Sequence, residues 1–234
     1  NQMVADLSDY FGRLFNARHT RIVVMKGAGR AYCAGLDIKA QGTQEAPFAG
    51  CFGFQGWLAD VYVKMRRCPQ PIIAAVNGAA AGGGLALVLG SDIRIGSESS
   101  KFNVAFIRVG FSACDIGTSW LLPRIVGVAR AQEMMLTGRV IDSAEAYRIG
   151  LLVDRVADDE LEKVAIAKAE QIMLNTPFGV ALTKEAMWTA LEIPAMQSAI
   201  DLENRQQIMA SRTEDAREAM VAFLEKRPPN FQNK

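Results

Sequence analysis

The fold is decided by two glycine-rich turns, Gly29-Arg30-Ala31-Tyr32-Cys33-Ala34-Gly35-Leu36-Asp37 and Asn77-Gly78-Ala79-Ala80-Ala81-Gly82-Gly83-Gly84. Each follows an apolar run, 22–25 and 72–76, that is typical of a buried strand. Glycine lets a backbone approach a ligand closely, and the free N–H groups at a helix start point at negative charge. The first turn (29–37) and the second turn (77–84) therefore predict one anion site, where an N–H from each holds the same oxygen atom.

Other glycine motifs fit these turns less well. The first turn begins like a dinucleotide fingerprint at Gly27, but the sixth position is Tyr32, where that motif has glycine or alanine. No glycine-lysine pair follows a glycine-rich loop, so the phosphate loop of nucleotide hydrolases is absent from the sequence. The remaining alternative, that the glycines only permit close packing, stays open beside the anion site.

The composition indicates one sizeable hydrophobic core and a protein with almost no net charge. The chain has 234 residues, 50% of them hydrophobic, and its 26 lysines and arginines nearly balance 25 aspartates and glutamates. This balance gives no reason to expect nucleic acid or a charged membrane as a partner. The four cysteines, which are unevenly spaced and form no CxxC, are typical of reduced thiols in a cytosol-like compartment.

The absence of targeting, membrane-spanning and metal-binding patterns in the sequence predicts the location of the protein and its metal content. Residues 1–6 show no secretory signal, and the uncharged stretch 70–91 is interrupted by glycines, which favours a buried strand, turn and helix over a membrane span. We expect a cytoplasmic protein, or a mitochondrial or peroxisomal one in a eukaryote. His19 is the only histidine, and no ligand spacing surrounds it, so we expect no metal site.

Hydrophobic periodicity predicts strands interleaved with helices in the first half and mainly helices in the second. The predicted elements are a helix from Val4, a strand at 22–25, a loop at 41–56, a helix from Leu58 to Pro69, a strand at 72–76, a short helix at 85–89, strands at 92–95 and 101–103, and one late strand at 151–153. This order predicts an α/β layer with an appended helical layer.

The two turns, followed by Leu122-Pro123-Arg124-Ile125-Val126-Gly127, Leu136-Thr137-Gly138-Arg139 and Phe223-Leu224-Glu225-Lys226-Arg227, resemble the crotonase (enoyl-CoA hydratase/isomerase) superfamily. The resemblance implies an α/β fold with a crotonase (ClpP-like) spiral of ββα units over 1–188, without the family's opening strands. It also implies a C-terminal helical trimerisation region over 189–234. A homotrimer or a dimer of trimers is the assembly that we expect from it.

The same resemblance implies an oxyanion hole for the carbonyl of an acyl-CoA thioester, formed by the N–H groups of Leu36 and Gly83. Coenzyme A enters as part of the substrate, and no separate cofactor is expected. Residues implied to line the substrate path are Ala34, Gly35, Asp37, Ile38 and Phe106, with Phe223 and Lys226 meeting the coenzyme from a neighbouring subunit.

The acidic residues depart from the hydratase pattern of the family. Its hydratases carry one glutamate shortly after the glycine run and a second in the next segment, and the matching positions here are Ala86 and Phe106. Neither side chain can move a proton, so the addition of water by two carboxylates is not supported at these positions.

Asp115 is the candidate replacement, because it falls close to the acid that the family's isomerases place in this segment. Its apolar neighbours would partly desolvate the carboxylate, raise its pKa and make it a better base. Such a base suits isomerisation, in which a proton leaves C2 and returns at C4. An alternative, which can coexist with this role, is that Asp115 is a cap or turn residue at the start of the helix before Trp120.

Isomerisation of an enoyl-CoA through Asp115 is therefore the favoured activity. The alternatives are a hydratase that uses Asp115 and water, a thioester hydrolase, and a non-catalytic homologue that binds acyl-CoA or RNA. The aromatic side chains of Phe48, Phe52, Phe54 and Trp57 could shape an acyl tunnel for a bulky tail or could anchor their loop in the core, and the sequence leaves both open.

Overall fold

The computed structural model describes residues 2–37 and 48–234. Its strands are β1 (Val23–Lys26), β2 (Ile72–Val76), β3 (Ala79–Ala81), β4 (Ile93–Ser97), β5 (Lys101–Asn103), β6 (Ile141–Asp142) and β7 (Asp154–Val156). Its α-helices are α1 (Gln2–Leu14), α2 (Phe48–Arg67), α3 (Gly83–Gly90), α4 (Thr118–Val126), α5 (Val128–Thr137), α6 (Ser143–Arg148), α7 (Leu161–Met173), α8 (Pro177–Ala190), α9 (Met196–Ser211) and α10 (Glu214–Glu225), and a 3₁₀ helix covers Ala105–Val109.

A parallel sheet with the order β1-β2-β4-β7 forms the centre of the fold. Every residue of β2 is buried, which is why its sequence is a continuous apolar run and not an alternating one. Ile73 and Ala75 pack with α7 on one face, whereas Ile72 faces the cluster that contains α1 and α2. Because side chains alternate along a strand, both faces of the sheet are covered by helices.

A smaller sheet with the order β3-β5-β6 lies beside the first. Here β3 pairs in parallel with β5, and β5 pairs antiparallel with β6. The short strand β3 occupies the middle of the second turn, and Cys33 of the first turn forms a parallel bridge with Ala80. The smaller sheet thus joins the two glycine-rich turns.

The predicted α/β layer and the appended helices are confirmed, but two element boundaries were wrong. Helix α2 begins at Phe48, ten residues before the predicted start at Leu58. The glycines at 50, 53 and 56 favour a loop in the sequence, since each is less favourable than alanine by about 1 kcal/mol in a helix interior. The late strand covers Asp154–Val156 and not 151–153, because Leu151 and Leu152 contribute burial and precede the paired segment.

The C-terminal helices are attached to the core by a buried ion pair between α8 and the start of β4. Lys184 Nζ lies 2.9 Å from Asp92 Oδ2 and donates hydrogen bonds to the carbonyls of Met65 and Gln70 at 3.0 Å and 2.9 Å. The domain boundary predicted after residue 188 falls within α8, and the division into two domains stays a prediction. Among the described residues, no helix is both long and apolar enough to cross a membrane.

Candidate active site

The two turns follow the carboxyl ends of adjacent parallel strands, the edge where open α/β sheets bind ligands. They are joined by backbone hydrogen bonds: Cys33 N–H donates to the Ala79 carbonyl at 3.1 Å, and Ala81 N–H donates to the Cys33 carbonyl at 3.0 Å. A Cβ atom on Gly84 would lie 1.9 Å from the Cys33 carbonyl oxygen. Only glycine at 84 therefore lets α3 approach the first turn this closely.

Gly35 sets the direction of the first turn. Its φ of +93° favours glycine, and a Cβ atom there would lie 2.8 Å from the Ala81 carbonyl oxygen and 3.7 Å from the Gly83 nitrogen. Leu36 directly follows, so its N–H belongs to the part of the first turn that faces the start of α3. The chain places the two candidate oxyanion donors in adjoining turns.

The N–H groups of Leu36 and Gly83 are available to a ligand. Gly83 is the first residue of α3, where an N–H has no partner inside the helix. Within residues 2–37 and 48–234, neither N–H donates a hydrogen bond. The Gly83 carbonyl accepts a hydrogen bond from the Tyr62 hydroxyl at 3.1 Å, which holds the start of α3 against α2. Two such donors can hold the negative oxygen of an enolate.

The Asp115 carboxylate lies between the 3₁₀ helix and α4. Its Oδ1 accepts hydrogen bonds from the backbone N–H of Ile116 at 2.8 Å and from the side-chain amide of Gln55. The alternative of a side-chain helix cap is wrong, because Gly117 is the N-cap of α4 and no side chain caps this end. Only the backbone carbonyl of Asp115 supports the helix, accepting from Thr118 N–H at 2.8 Å.

Burial raises the pKa of Asp115 above its ordinary value, and the hydrogen bonds from Ile116 and Gln55 oppose this shift. Ile116 connects the carboxylate to the second turn, which carries the Gly83 N–H and is called the oxyanion turn below, since Ile116 Cδ1 lies 3.9 Å from where a Cβ atom on Gly83 would be. Ile116 has a φ of +38°, which is rare for a β-branched residue and costs about 1–3 kcal/mol. Packing against Gly83 and the rest of its cluster holds this conformation.

Gln55 and Tyr62 are site residues that the sequence analysis missed. They are seven residues apart on α2 and so share one helix face, from which Gln55 reaches Asp115 and Tyr62 reaches Gly83. Burial raises the pKa of Tyr62 far above its ordinary value, with smaller contributions from Cys33 and Asp115, so its hydroxyl stays a donor. Positions 55, 58, 59 and 62 have the spacing of one helix face, which could have placed Gln55 and Tyr62 together. The interpretation of 41–56 as a loop left Gln55 outside the predicted helix.

The two positions that carry glutamates in hydratases are apolar in the structure as well as in the sequence. Ala86 is completely buried in α3. The Phe106 ring borders the second turn, with its Cε1 atom 3.4 Å from where a Cβ atom on Gly82 would be. No carboxylate stands at either position, and within the described residues no cluster of three or more histidines, cysteines, aspartates or glutamates could hold a metal.

The other residues predicted to bind substrate, and the aromatic residues predicted to shape an acyl tunnel, differ in their exposure. Ala34 and Asp37 are exposed in the first turn, and Ile38 lies outside the described residues. Phe223 is 83% exposed near the end of α10, and Lys226 is exposed at the C-cap of this helix. Phe54 and Trp57 make an edge-to-face contact with ring centroids 5.9 Å apart, whereas Phe52 is exposed and the side chain of Phe48 is outside the described part of the chain.

Comparison with solved structures identifies the architecture as the crotonase fold. The crystal structure of an enoyl-CoA hydratase from Bacillus anthracis matches with a TM-score of 0.94 and 31% sequence identity, over 100% of this chain and 89% of that one. The structure of an enoyl-CoA hydratase from Mycobacterium smegmatis matches with a TM-score of 0.90 and 30% identity, over 97% of this chain and 87% of that one.

The chain belongs to the enoyl-CoA hydratase/isomerase family, whose sequence profile matches residues 1–234. It is 35% identical to the 1,2-epoxyphenylacetyl-CoA isomerase of Escherichia coli over 237 residues, which cover 100% of this chain and 89% of that protein. The resemblance found in the sequence is thereby confirmed, as are the fold and an enzyme of the hydratase/isomerase type.

Proposed function

We propose that this chain is an enoyl-CoA isomerase that moves a carbon–carbon double bond with Asp115 as its only acid/base group. The observation that carries the proposal is the Asp115 carboxylate, which two hydrogen bonds hold close to the turn of Gly83, while positions 86 and 106 are apolar. Addition of water uses one group to activate water and another to deliver the proton, whereas isomerisation needs one group that takes and returns the same proton.

In the proposed reaction, the thioester carbonyl of a 3-enoyl-CoA accepts hydrogen bonds from the N–H groups of Leu36 and Gly83. Asp115 removes a proton from C2, and the electron pair moves into the carbonyl to give a dienolate. The two N–H groups stabilise the negative oxygen more strongly than the neutral carbonyl, and removing one such donor typically costs about 3–4 kcal/mol of barrier height. Asp115 then returns the proton to C4, which yields the 2-enoyl-CoA without any net reactant.

The test is turnover of 3-enoyl-CoA and 2-enoyl-CoA thioesters in deuterated water, followed by mass spectrometry. We expect interconversion of the two enoyl isomers, with no gain of the mass of water. Deuterium at C2 or C4 would measure exchange of the shared proton with solvent. A 3-hydroxyacyl-CoA as the main product would contradict isomerisation and establish the second candidate, a hydratase that uses Asp115 and water. Free coenzyme A would indicate hydrolysis.

Because the coenzyme A portion is part of the substrate, the proposed reaction needs no other cofactor. We further propose a homotrimer or a dimer of trimers in which Phe223 and Lys226 contact coenzyme A bound to a neighbouring subunit. Exposed apolar side chains on α9 and α10 support an interface there: Met196, Ile208, Met209, Met220, Phe223 and Leu224. The exposed Lys226 ammonium suits a phosphate group.

Replacing Lys226 with alanine is expected to raise the KM for an acyl-CoA about three- to tenfold while leaving kcat within about twofold, because a rim charge contributes to binding and not to the chemical step. Steady-state kinetics would measure this split, and light scattering would give the mass of the assembly. A monomeric wild type with unchanged KM in the variant would contradict the proposed role of the neighbouring subunit.

A further inference from the structure

Both hydrogen bonds to the Asp115 carboxylate reach the same oxygen. Gln55 Nε2 donates to Oδ1, and the backbone N–H of Ile116 donates to Oδ1 at 2.8 Å. Within the described ranges, no group donates to Oδ2. The two carboxylate oxygens therefore have different environments, one held by two donors and the other available for proton transfer.

We propose that Gln55 is a positioning residue that holds Oδ1 of Asp115 and thereby assigns proton transfer to Oδ2. This inference rests on the proposed function, in which Asp115 is the base. A carboxylate with one oxygen fixed by two donors cannot rotate freely about its Cβ–Cγ bond, so Oδ2 keeps one direction while a proton leaves C2 and returns at C4. Both transfers then use the same oxygen and need no rearrangement of the carboxylate.

The helix that carries Gln55 also positions the oxyanion turn. Tyr62, two turns further along α2 on the same face, donates its hydroxyl hydrogen bond to the Gly83 carbonyl at 3.1 Å. Seven residues of an α-helix span about 10.5 Å, so one rigid element sets the separation between the base and the oxyanion donors. Helix α2 is itself anchored, since Met65 is completely buried and Lys64 Nζ donates to Ser8 Oγ at 2.7 Å.

The hydrogen bond from Gln55 also favours the ionised form of Asp115, in opposition to burial. Tyr62 interacts electrostatically with Asp115, with the Cys33 thiol and with the Tyr32 hydroxyl, and burial raises the pKa of both tyrosines well above their ordinary values. No lysine, arginine or histidine in the described part of the chain is among the groups that shift the pKa of Asp115. Among the described side chains, Gln55 is therefore the one that offsets the cost of the half-buried charge.

The experiment compares the wild type with Gln55→Ala, Gln55→Glu and a matched control, Val63→Ala, which trims an exposed side chain on the same helix. The Asp115 carboxyl is titrated directly by carbon NMR of the protein labelled at the aspartate carboxyl carbon, and its signal is assigned by loss in Asp115→Asn. We expect the titration to move to higher pH in Gln55→Ala and further in Gln55→Glu, which places a like charge beside the carboxylate. Val63→Ala should titrate as the wild type does.

The same variants are compared by the pH profile of kcat/KM for the isomerisation. In Gln55→Ala we expect the acidic limb to move to higher pH, with roughly a tenfold loss at the acidic end and less than a threefold loss on the plateau, where the carboxylate is ionised regardless. A merely structural role would lower the whole profile without moving its limb.

An unchanged Asp115 titration in Gln55→Ala would overturn the inference. If the Asp115 titration shifts in Gln55→Ala but the wild type does not isomerise 3-enoyl-CoA, the pairing of Gln55 with Asp115 is supported and the proposed function is contradicted instead. The two failures are thus distinguished, because the titration does not depend on turnover.

Discussion

Replacing Asp115 with asparagine is expected to lower kcat for 3-enoyl-CoA isomerisation by about 10²- to 10⁴-fold, the usual contribution of a general acid/base group. Asparagine has nearly the same shape, and its carbonyl oxygen can still accept from Ile116 N–H and from Gln55, so the local backbone should be retained. The amide cannot take a proton from C2. Single-turnover kinetics with saturating substrate would measure the loss at the chemical step.

This substitution should not weaken the fold. Because burial raises the folded-state pKa of Asp115 above that of the unfolded chain, the folded protein binds this proton more tightly. At a pH above both pKa values the ionised carboxylate therefore costs stability, and the cost disappears as the pH falls through the folded-state pKa. We expect Asp115→Asn to have a thermal midpoint equal to or slightly above that of the wild type, which separates lost catalysis from lost structure.

Asp159→Asn is the matched control, since it removes an exposed carboxylate in the turn before α7. It should keep full turnover. The wild-type kcat/KM should rise with pH as Asp115 loses its proton and then reach a plateau, and the limb should lie above the ordinary pKa of an aspartate. Turnover by Asp115→Asn within tenfold of the wild type would mean that another group moves the proton.

The sequence predicts the two turns and Asp115, and the roles of these residues in the site stay predictions. The turns at 29–37 and 77–84 follow apolar runs, and parallel pairing of those runs as β1 and β2 brings the turns together. Asp115 was predicted from the family resemblance, because positions 86 and 106 hold alanine and phenylalanine and Asp115 falls close to the acid that the family's isomerases place in this segment. The turns can be predicted from local pattern alone, whereas Asp115 needs the family resemblance as well.

Gln55 could not be found in this way, since its partner is 60 residues further along the chain. Three glycines in the first half of α2 favour a loop by intrinsic propensity, and tertiary contacts override them. Asp92 and Lys184 are similarly separated, and the helical pattern around Lys184 gives no sign that its charge is buried. Pairings across such distances become visible only when the sheet and helices are assembled.

The second large effect is expected at that buried pair. Lys184→Met should lower the free energy of unfolding by about 3–5 kcal/mol, because it leaves the Asp92 carboxylate buried without its counter-charge. The two side chains are only 4% and 8% exposed. Asp92 also accepts from Ile72 N–H at 2.8 Å and from Trp188 Nε1 at 3.0 Å, so it cannot turn toward water without breaking contacts to β2 and α8. Urea unfolding followed by circular dichroism would measure the loss.

Lys163→Met provides the control, because its ion pair with Glu160 is on the surface and the Lys163 side chain is 77% exposed. Such a pair contributes about 0–1 kcal/mol, so this variant should unfold nearly as the wild type does. Equal unfolding midpoints for Lys184→Met and Lys163→Met would show that the buried pair does not hold α8 to the core.

The double variant Lys184→Met with Asp92→Asn tests the physical reason. Asparagine removes the unpaired charge but keeps an oxygen that can accept from Ile72 N–H or Trp188 Nε1. If the penalty of Lys184→Met comes from an isolated carboxylate, the double variant should be more stable than the single one, with a coupling energy of about 0.5–3 kcal/mol. If it comes instead from the lost lysine hydrogen bonds to Met65 and Gln70, the second substitution should restore nothing. Whether the double variant is more stable than Lys184→Met therefore decides whether charge pairing or the hydrogen bonds to the backbone attach the C-terminal helices to the core.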